Sequence, residues 1–485
     1  MKITRATTYI VGNPWKNWLF VRLDTDQPGL YGIGEGTLNG FAKTVEAAVH
    51  ELAPRYEGMD PFQIETIYQR MTRDLYSEGA QIHMNAVAAV ETACWDIIGK
   101  VTGRPIYDLL GGRYHESLPA YANGWYQGDR TPEAFAEGAA KVIAKGYKAL
   151  KFDPFGAAWR AMTPADRQLS LDIVAAVRDT VGPDVRIMIE GHRRFSVAEA
   201  IWFGEALREF NPTWFEEPTD HTKIDATAEV ARRLAIPVSA GESFTTTHQF
   251  AELLKYNSVH ILQPDPSCMG GILRTKMVCA MADANYAVVA PHQAQGPVST
   301  AVCIQIGACT PNLLVQELFD EFNVGWEREI VTNPVHQVDG QIQIPTAPGL
   351  GLDLNYAEVE KHPYQVNNFL PLFAQGWERR EGSKDAAPAA LAAVDAADQT
   401  AVTAPTPDSV ADADSVGADE PSEAGATFPE VARVASGDLA GERDRAAVKA
   451  ARQEAKAGRT DDKANRKKAK DAKRGARDAK RKGRG

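Results

Sequence analysis

The sequence predicts an α/β fold of the (β/α)8 TIM-barrel type, and three observations carry that reading. Glu190, Glu216 and Glu242 recur at one interval of 26 residues (216 − 190 and 242 − 216). Each ends a short apolar run: RIMIE, TWFE and PVSAGE. A strand, a loop, a helix and a return loop together need about this length. The register also continues on both sides, until eight apolar runs alternate with helix-like segments.

Taken in order, KITRATTYIV, NWLFVRLDTD and YGIGEGT resemble three strands of an antiparallel sheet. AKTVEAAVHELAPRY and PFQIETIYQRMTRDLY place apolar residues at helical spacing and predict two amphipathic helices. The barrel runs then follow: LPAYAN (118–123), YKALKFD (147–153), RIMIE (186–190), TWFE (213–216), PVSAGE (237–242), SVHILQPD (258–265), YAVVAPH (286–292) and NLLVQE (312–317). Helix signals fall between them. Thr131-Pro132-Glu133 offers an N-cap, a proline at the first helical position and an early acid. Ser196 with Glu199 predicts a capping box, and Gly146 after Lys145 predicts a helix stop. After about residue 382 the chain turns rich in Ala, Asp, Pro, Ser and Thr and nearly loses its aromatics. Such a stretch cannot bury enough apolar surface to offset its ordering entropy, so 383–485 is expected to be a disordered tail.

Seven of the eight barrel runs end in a residue able to do chemistry: Asp153 (with Lys151 just before it), Glu190, Glu216, Glu242, Asp265, His292 and Glu317. In such barrels function gathers at the carboxyl ends of the strands. One strand-end glutamate is most often a solvated loop residue. Three in register, converging on one rim, are the hard oxygen set a Mg²⁺ ion requires, so Glu190, Glu216 and Glu242 are the candidate metal ligands.

Composition narrows the classes. Five cysteines (Cys94, Cys268, Cys279, Cys303, Cys309) form no CxxC pair and sit in apolar context, as expected of reduced, buried thiols in a cytoplasmic protein. The N-terminus has too few apolar residues for a signal peptide, and no run approaches the roughly 20 of a membrane helix, so no membrane role is expected. Net charge is −11. Residues 441–485 hold 18 Lys+Arg against 7 Asp+Glu, a local +11, so the rest carries −22. The basic end could bind nucleic acid or acidic surfaces. Nonspecific electrostatic stickiness is the plainer reading, since no aromatic residue interleaves the charges.

With these residues in place, the chain resembles the enolase superfamily, in its mandelate racemase and muconate lactonizing branch. NAVAAVETACWDIIGKVTGRPIYDLLGG (85–112) resembles that branch's signature, the glutamate ladder its metal ligands, and Asp265 with His292 its Asp–His dyad. The resemblance covers about residues 1–375. It sharpens at Glu190-Gly191-His192, AYANGWYQ (120–127), GYKALKFDPFG (146–156) and ILQPD (261–265), which are similar to gluconate/galactonate dehydratases. It implies an α+β cap over 1–116, a catalytic barrel over 117–330 and a segment over 331–375 that returns to the cap. It further implies a homo-oligomer, a small sugar acid as substrate, and cap loops at 12–17 and 37–41 that choose it, with Trp15 or Lys16 in reach.

The chemistry follows. Removing the hydrogen beside a sugar acid's carboxylate leaves charge on two adjacent oxygens, and Mg²⁺ can neutralise it; enolase-type sites with a His or Lys base and Mg²⁺ are an established pattern. His292 is the expected base, oriented by Asp265. His192, two residues past a metal ligand, is the expected acid for a departing C3 hydroxyl. Glu317 is expected to hydrogen-bond the enediolate, if it holds or shares a proton. Lys151 is expected to steer the anionic substrate, and Asp153 either to bind a sugar hydroxyl or to pair with Lys151. Relatives often carry Lys-x-Lys on this strand; here it is Lys151-Phe152-Asp153, which removes a lysine base from that face. The leading expectation is a Mg²⁺-dependent aldonate dehydratase giving a 2-keto-3-deoxy acid. The alternatives are an epimerase, racemase or sugar-lactone cycloisomerase on the same scaffold, and, from another class, a docking role for the basic tail. His248 and His260 are read as structural.

Overall fold

In the first 35 residues, strand-forming runs fold into a meander of β1 (Ile3–Asn13), β2 (Lys16–Thr25) and β3 (Tyr31–Glu35), paired antiparallel in that order. This is a computed structural model, and it describes residues 1–319, 321–322 and 325–379. The expected tail over 383–485 therefore lies outside the described residues. The Asn13↔Lys16 pairing leaves Pro14 and Trp15 as a two-residue hairpin tip. The long helix Ala80–Thr102 packs against β3, where a Cβ on Gly34 would meet the Ala89 carbonyl oxygen at 1.9 Å. Only glycine allows that approach.

The two expected cap helices are shorter than their apolar pattern. The first runs Ala42–Glu51 and restarts as Ala53–Tyr56, because Pro54 has no N–H to continue the ladder. The second is regular only over Ile64–Met71 and ends in a tight turn at Arg73–Leu75.

All eight apolar runs form parallel strands in sequence order: β4 (Ser117–Ala122), β5 (Ala149–Phe152), β6 (Arg186–Glu190), β7 (Trp214–Glu216), β8 (Val238–Ala240), β9 (Ile261–Leu262), β10 (Val288–Val289) and β11 (Gln316–Leu318). β11 pairs back onto β4. Between β10 and β11 the barrel closes through a single parallel bridge, Val289↔Leu313. Inside, Tyr121, Met188, Trp214, Ile261 and Val315 form a packed plug, so the barrel is a core and its chemistry must sit at the rim.

Thr131 caps Pro132–Ala144 as expected, accepting from the Ala134 N–H at 3.2 Å. The Ser196/Glu199 box is only half made. Ser196 accepts from the Glu199 N–H at 3.3 Å, but the Glu199 carboxylate turns away to pair with Arg167. A complete box forms instead at Thr246 and Gln249.

Two buried carboxylates tie cap to barrel. Glu35 accepts from the Gly296 N–H (2.6 Å) and the Ser299 N–H (2.8 Å). Glu91 accepts from Ile272 (2.8 Å) and Leu273 (3.0 Å) at the start of helix Ile272–Ala284, where the N-terminal dipole favours an anion. Beyond β11 a small hairpin, β12 (Gln337–Val338) and β13 (Gln341–Gln343), adds antiparallel to β4. The chain then returns over the cap and crosses the barrel mouth through residues 365–379.

Candidate active site

Strand register does most of the assembly. Glu190 and Glu216 are direct partners on β6 and β7. Glu242 lies two residues past the end of β8, reached across Gly241 at φ +129°, where a side chain would strike the Phe250 ring. One carboxylate oxygen from each lies within 4.8 Å of the other two. Burial opposes ionisation of Glu190, but Lys151 and His192 outweigh it and hold it below the usual range. Glu216 goes the other way, pushed well above that range by burial and by Glu190 beside it. Such mutual repulsion is what a divalent cation relieves. Glu190 Oε2 is buried, lies 3.1 Å from Lys151 Nζ, and makes no hydrogen bond. Three converging carboxylates are hard oxygen donors, which fit Mg²⁺ better than a softer metal.

Lys151 enters this cluster from β5. Its ammonium is buried and pairs with Glu190, Glu216 and Glu317 (3.2 Å). Glu317 is fully buried. Its oxygens accept from Asn123 Nδ2 and from the Gln293 N–H, both at 2.7 Å, and it is absent from the cavity wall. These contacts place Glu317 beside Lys151 and the loop that carries His292. Its Oε1 holds Asn123 and Lys151, and its Oε2 holds the loop after His292 through the Gln293 N–H.

His292 extends from the loop after β10. Its Nδ1 lies 2.7 Å from Asp265 Oδ2, and its Nε2 faces Glu242 at 3.4 Å. The other Asp265 oxygen accepts from the Ser267 N–H at 2.7 Å, which fixes the carboxylate plane. Burial pulls the imidazolium down, but Glu242, Glu317 and Asp265 outweigh it and push it up to about 9.

A second His–Asp pair stands beside the carboxylate cluster. His192 has a left-handed backbone (φ +44°) and donates its N–H to Glu190 Oε1 at 2.7 Å. Its Nδ1 lies 2.6 Å from Asp153 Oδ2. Asp153 pairs with His192 and Arg194 and not with Lys151, which corrects that alternative. Because β5 ends at Phe152, Asp153 lies in the following loop and leaves the strand's alternation, pairing with the fully buried guanidinium of Arg194. Arg194 carried no sequence signal; an arginine after a strand is ordinarily a surface residue. Arg193 and Glu217 also have positive φ, +62° and +38°. Such backbone strain gathers where function over-determines the loop.

A cavity of about 310 Å³ opens on these groups, with Lys151, Glu190, His192, Glu242, Asp265 and His292 on its wall. The cap contributes Trp15 and Lys16 from the hairpin tip and Leu38 and Phe41 from the 37–41 loop, the two segments singled out in the sequence. Trp15 stacks on Phe319 at 4.8 Å, and Lys16 Nζ donates to the Ala294 carbonyl at 2.6 Å. His248 and His260 are exposed and take no part. Among the described residues, no helix is long and apolar enough to cross a membrane.

Comparison with known proteins agrees with this architecture. Residues 12–111 match the N-terminal domain of the mandelate racemase/muconate lactonizing enzymes, and residues 134–359 match the enolase C-terminal domain-like family. The D-gluconate dehydratase of Thermoproteus tenax is 33% identical over 350 residues, covering 72% of this chain and 70% of that protein. The D-galactonate dehydratase of Verminephrobacter eiseniae is 35% identical over 366 residues, covering 74% of this chain and 94% of that one. A mandelate racemase/muconate lactonizing enzyme crystal structure from a Sulfitobacter species superposes with a TM-score of 0.72 at 32% identity, covering 76% of this chain and 96% of that one. The chain therefore belongs to the mandelate racemase/muconate lactonizing enzyme family of the enolase superfamily.

Proposed function

We propose that this protein is a Mg²⁺-dependent sugar acid dehydratase of the gluconate/galactonate type, converting an aldonate to a 2-keto-3-deoxy acid. The single observation that carries the reading is the pair of His–Asp dyads, His292–Asp265 and His192–Asp153, both presented to one cavity beside the three carboxylates. The names and identities of the two dehydratases above support the substrate class.

In this reading Glu190, Glu216 and Glu242 hold the ion. When bound, the ion supplies positive charge to the substrate carboxylate, so that the carbon-bound proton beside it becomes acidic enough to leave. Lys151, anchored among those carboxylates, adds a second positive charge at the same end of the cavity. With Glu242 engaged by the ion, the charge that chiefly raises His292 in the metal-free site would be offset; His292 then takes the C2 proton on Nε2, and Asp265 holds the tautomer that leaves Nε2 open. His192 gives a proton from its Nε2 to the departing C3 hydroxyl, with Asp153 fixing the ring. The enol so formed tautomerises to the 2-keto acid, so water is the only other product. Trp15, stacked on Phe319, and Lys16 cover the mouth and exclude bulk water.

A second reading, C2 epimerisation, draws on the same two dyads, because a two-base epimerase needs an acid–base group on each face of C2. The decisive experiment is a screen of sugar acids with Mg²⁺ and with EDTA, read for 2-keto-3-deoxy product and for epimer. A keto-deoxy product dependent on metal supports the dehydratase; epimer without water loss transfers the assignment to the second reading. Turnover unchanged by EDTA sinks both.

A further inference from the structure

The family match ends at residue 359, yet the described chain runs on to residue 379, and its last residues pack behind the His192–Asp153 dyad. The segment is tied down along its length. Asn17 Nδ2 donates to the carbonyls of Gln365 (2.7 Å) and Asn368 (3.1 Å), and Asn39 both donates to the Leu370 carbonyl (3.0 Å) and accepts from its N–H (2.9 Å). Its far end is seated deepest. Trp377 is 3% exposed and Glu378 1%. The Glu378 carbonyl accepts from the Gly128 N–H at 3.1 Å. The Glu378 carboxyl is pushed up chiefly by burial and then by Asp153, against the pull of Arg130 and Arg194. Trp377 Nε1 donates to the Gly156 carbonyl at 3.1 Å, the same oxygen that accepts from Arg194 Nη1. The indole therefore shares an anchor with the guanidinium that pairs with Asp153.

His192 needs a neighbour of this kind. The contact of its Nδ1 with Asp153 Oδ2 fixes one ring atom and not the ring plane. The imidazole can still swing about that point, because the outer side-chain torsion of histidine has a broad minimum. Trp377 meets the imidazole edge-on, with ring centres 6.0 Å apart and planes at 89°. It meets Tyr126 in the same manner at 6.1 Å. His192 and Tyr126 both stand on the cavity wall, and Trp377 does not. The indole thus backs two wall residues without being placed to touch a substrate, and its own hydrogen bond to Gly156 keeps it from following a moving ring.

We propose that Trp377 is a positioning residue for the second dyad, holding the His192 imidazole in the plane from which Nε2 faces the departing C3 hydroxyl. This rests on the aldonate dehydratase reading above, in which His192 is the leaving-group acid. The active site is then completed by residues beyond the stretch that matches the family. A reacting group misplaced by about 1 Å costs about a hundredfold in rate, so loss of the indole is expected to slow elimination about ten- to hundredfold.

The test uses the full-length, Mg²⁺-loaded protein in D₂O, with C2–H exchange and water loss followed together on one aldonate. Trp377→Leu removes the ring and keeps an apolar side chain; Trp377→Met takes its place should that variant not fold. Water loss is expected to fall about ten- to hundredfold in kcat, with KM and C2 exchange within about threefold of wild type. Trp377→Phe restores an aromatic edge without the N–H, and is expected to eliminate water at least about threefold faster than the leucine variant. Exchange and elimination that fall together overturn the proposal, as does water loss within about threefold of wild type or a phenylalanine variant no faster than the leucine one. Should the wild type remove water from no aldonate, the dehydratase reading falls instead, and the His192 ring itself decides. Its ¹³Cε1 signal, assigned by its loss in His192→Asn, is expected as one line in the wild type and as a doubled or broadened line in Trp377→Leu. A single line of wild-type width in that variant ends the proposal.

Discussion

Asp153→Asn is the perturbation that most directly probes the second dyad. The substitution keeps shape and removes one charge. In the native site Asp153 Oδ2 lies 2.6 Å from His192 Nδ1 and also pairs with Arg194. An asparagine can turn its NH₂ toward Nδ1 and donate, which keeps Nδ1 unprotonated and disfavours the imidazolium, so that Nε2 carries the proton of a neutral ring and is a far weaker acid. Loss of a positioned acid–base group costs about 10²–10⁴ in rate, so water loss should fall by about that factor. Removal of the C2 proton belongs to His292, which touches neither Asp153 nor Arg194 by hydrogen bond, and should fall less than about tenfold. Stability will fall too. Stripping one partner from a buried ion pair costs about 3–5 kcal/mol, and the low end is expected because Arg194 keeps the Gly191 carbonyl at 3.0 Å and the Gly156 carbonyl. The assay is proton NMR in D₂O, following loss of the C2–H signal and appearance of the 3-deoxy methylene in one tube, below the variant's melting temperature. Equal falls in exchange and elimination, or no fall in either, would refute the assignment of Asp153 as the group that positions His192.

Four further outcomes follow from the same geometry. His292→Ala should abolish C2 exchange and retain Mg²⁺ binding by calorimetry; exchange that persists rejects His292 as the base. His192→Asn should permit C2 exchange while slowing elimination about 10²-fold or more, and a parallel loss of both would show that His192 is not simply the leaving-group acid. Saturation with Mg²⁺ at a hundred times its dissociation constant should stabilise the fold by about 2.7 kcal/mol, visible as a raised melting temperature that Glu216→Gln largely removes. In metal-free protein, His292 is pushed up to about 9 and Glu217 to about 8, the latter chiefly by burial and then by Glu242. A group with a raised folded pKa stabilises below its unfolded value and loses that contribution as pH climbs through the folded one. The metal-free melting temperature should therefore drop between about pH 6.5 and 9, and Mg²⁺ should flatten the slope; a metal-free protein that gains stability over that range contradicts the electrostatics described here.

The barrel was legible because its signal is periodic. Every apolar run became a strand, and Glu190, Glu216, Asp265 and His292 fell where the register put them. What escaped was orientation. From the sequence, Lys151 and Asp153 looked like neighbours on one face, since both are polar and two apart. The short β5 does end at Phe152, so Asp153 already belongs to the loop and leaves the strand's alternation. Its partner Arg194 lies 41 residues away and gives no local sign of burial. A rim position likewise says that a carboxylate is near the chemistry, not that it also holds Asn123 and the Gln293 N–H, as Glu317 does. The helix breaks at Pro54 and the half-made Ser196 box are local competitions that a hydrophobic pattern does not weigh.

The position of the base is finally a property of the cap as much as of the barrel. His292 sits on the 290–296 loop after one of the shortest strands, β10, which is joined to β11 by a single bridge. Left to itself, that edge would be the loosest part of the rim. Three contacts from the cap compensate. Lys16 Nζ holds the Ala294 carbonyl at 2.6 Å, Glu35 holds the Gly296 N–H, and the same Glu35 carboxylate reaches Ser299 at the start of helix Pro297–Ala308. Lys16 stands at the hairpin tip that also carries Trp15 onto Phe319, so the group that covers the mouth and the group that steadies the base are adjacent residues on one turn. Covering the cavity and aligning His292 are thereby linked: a cap displaced from the barrel would release both together. A cap loop altered for a new substrate must therefore preserve the Lys16 and Glu35 anchors, or it will lose proton transfer along with selectivity.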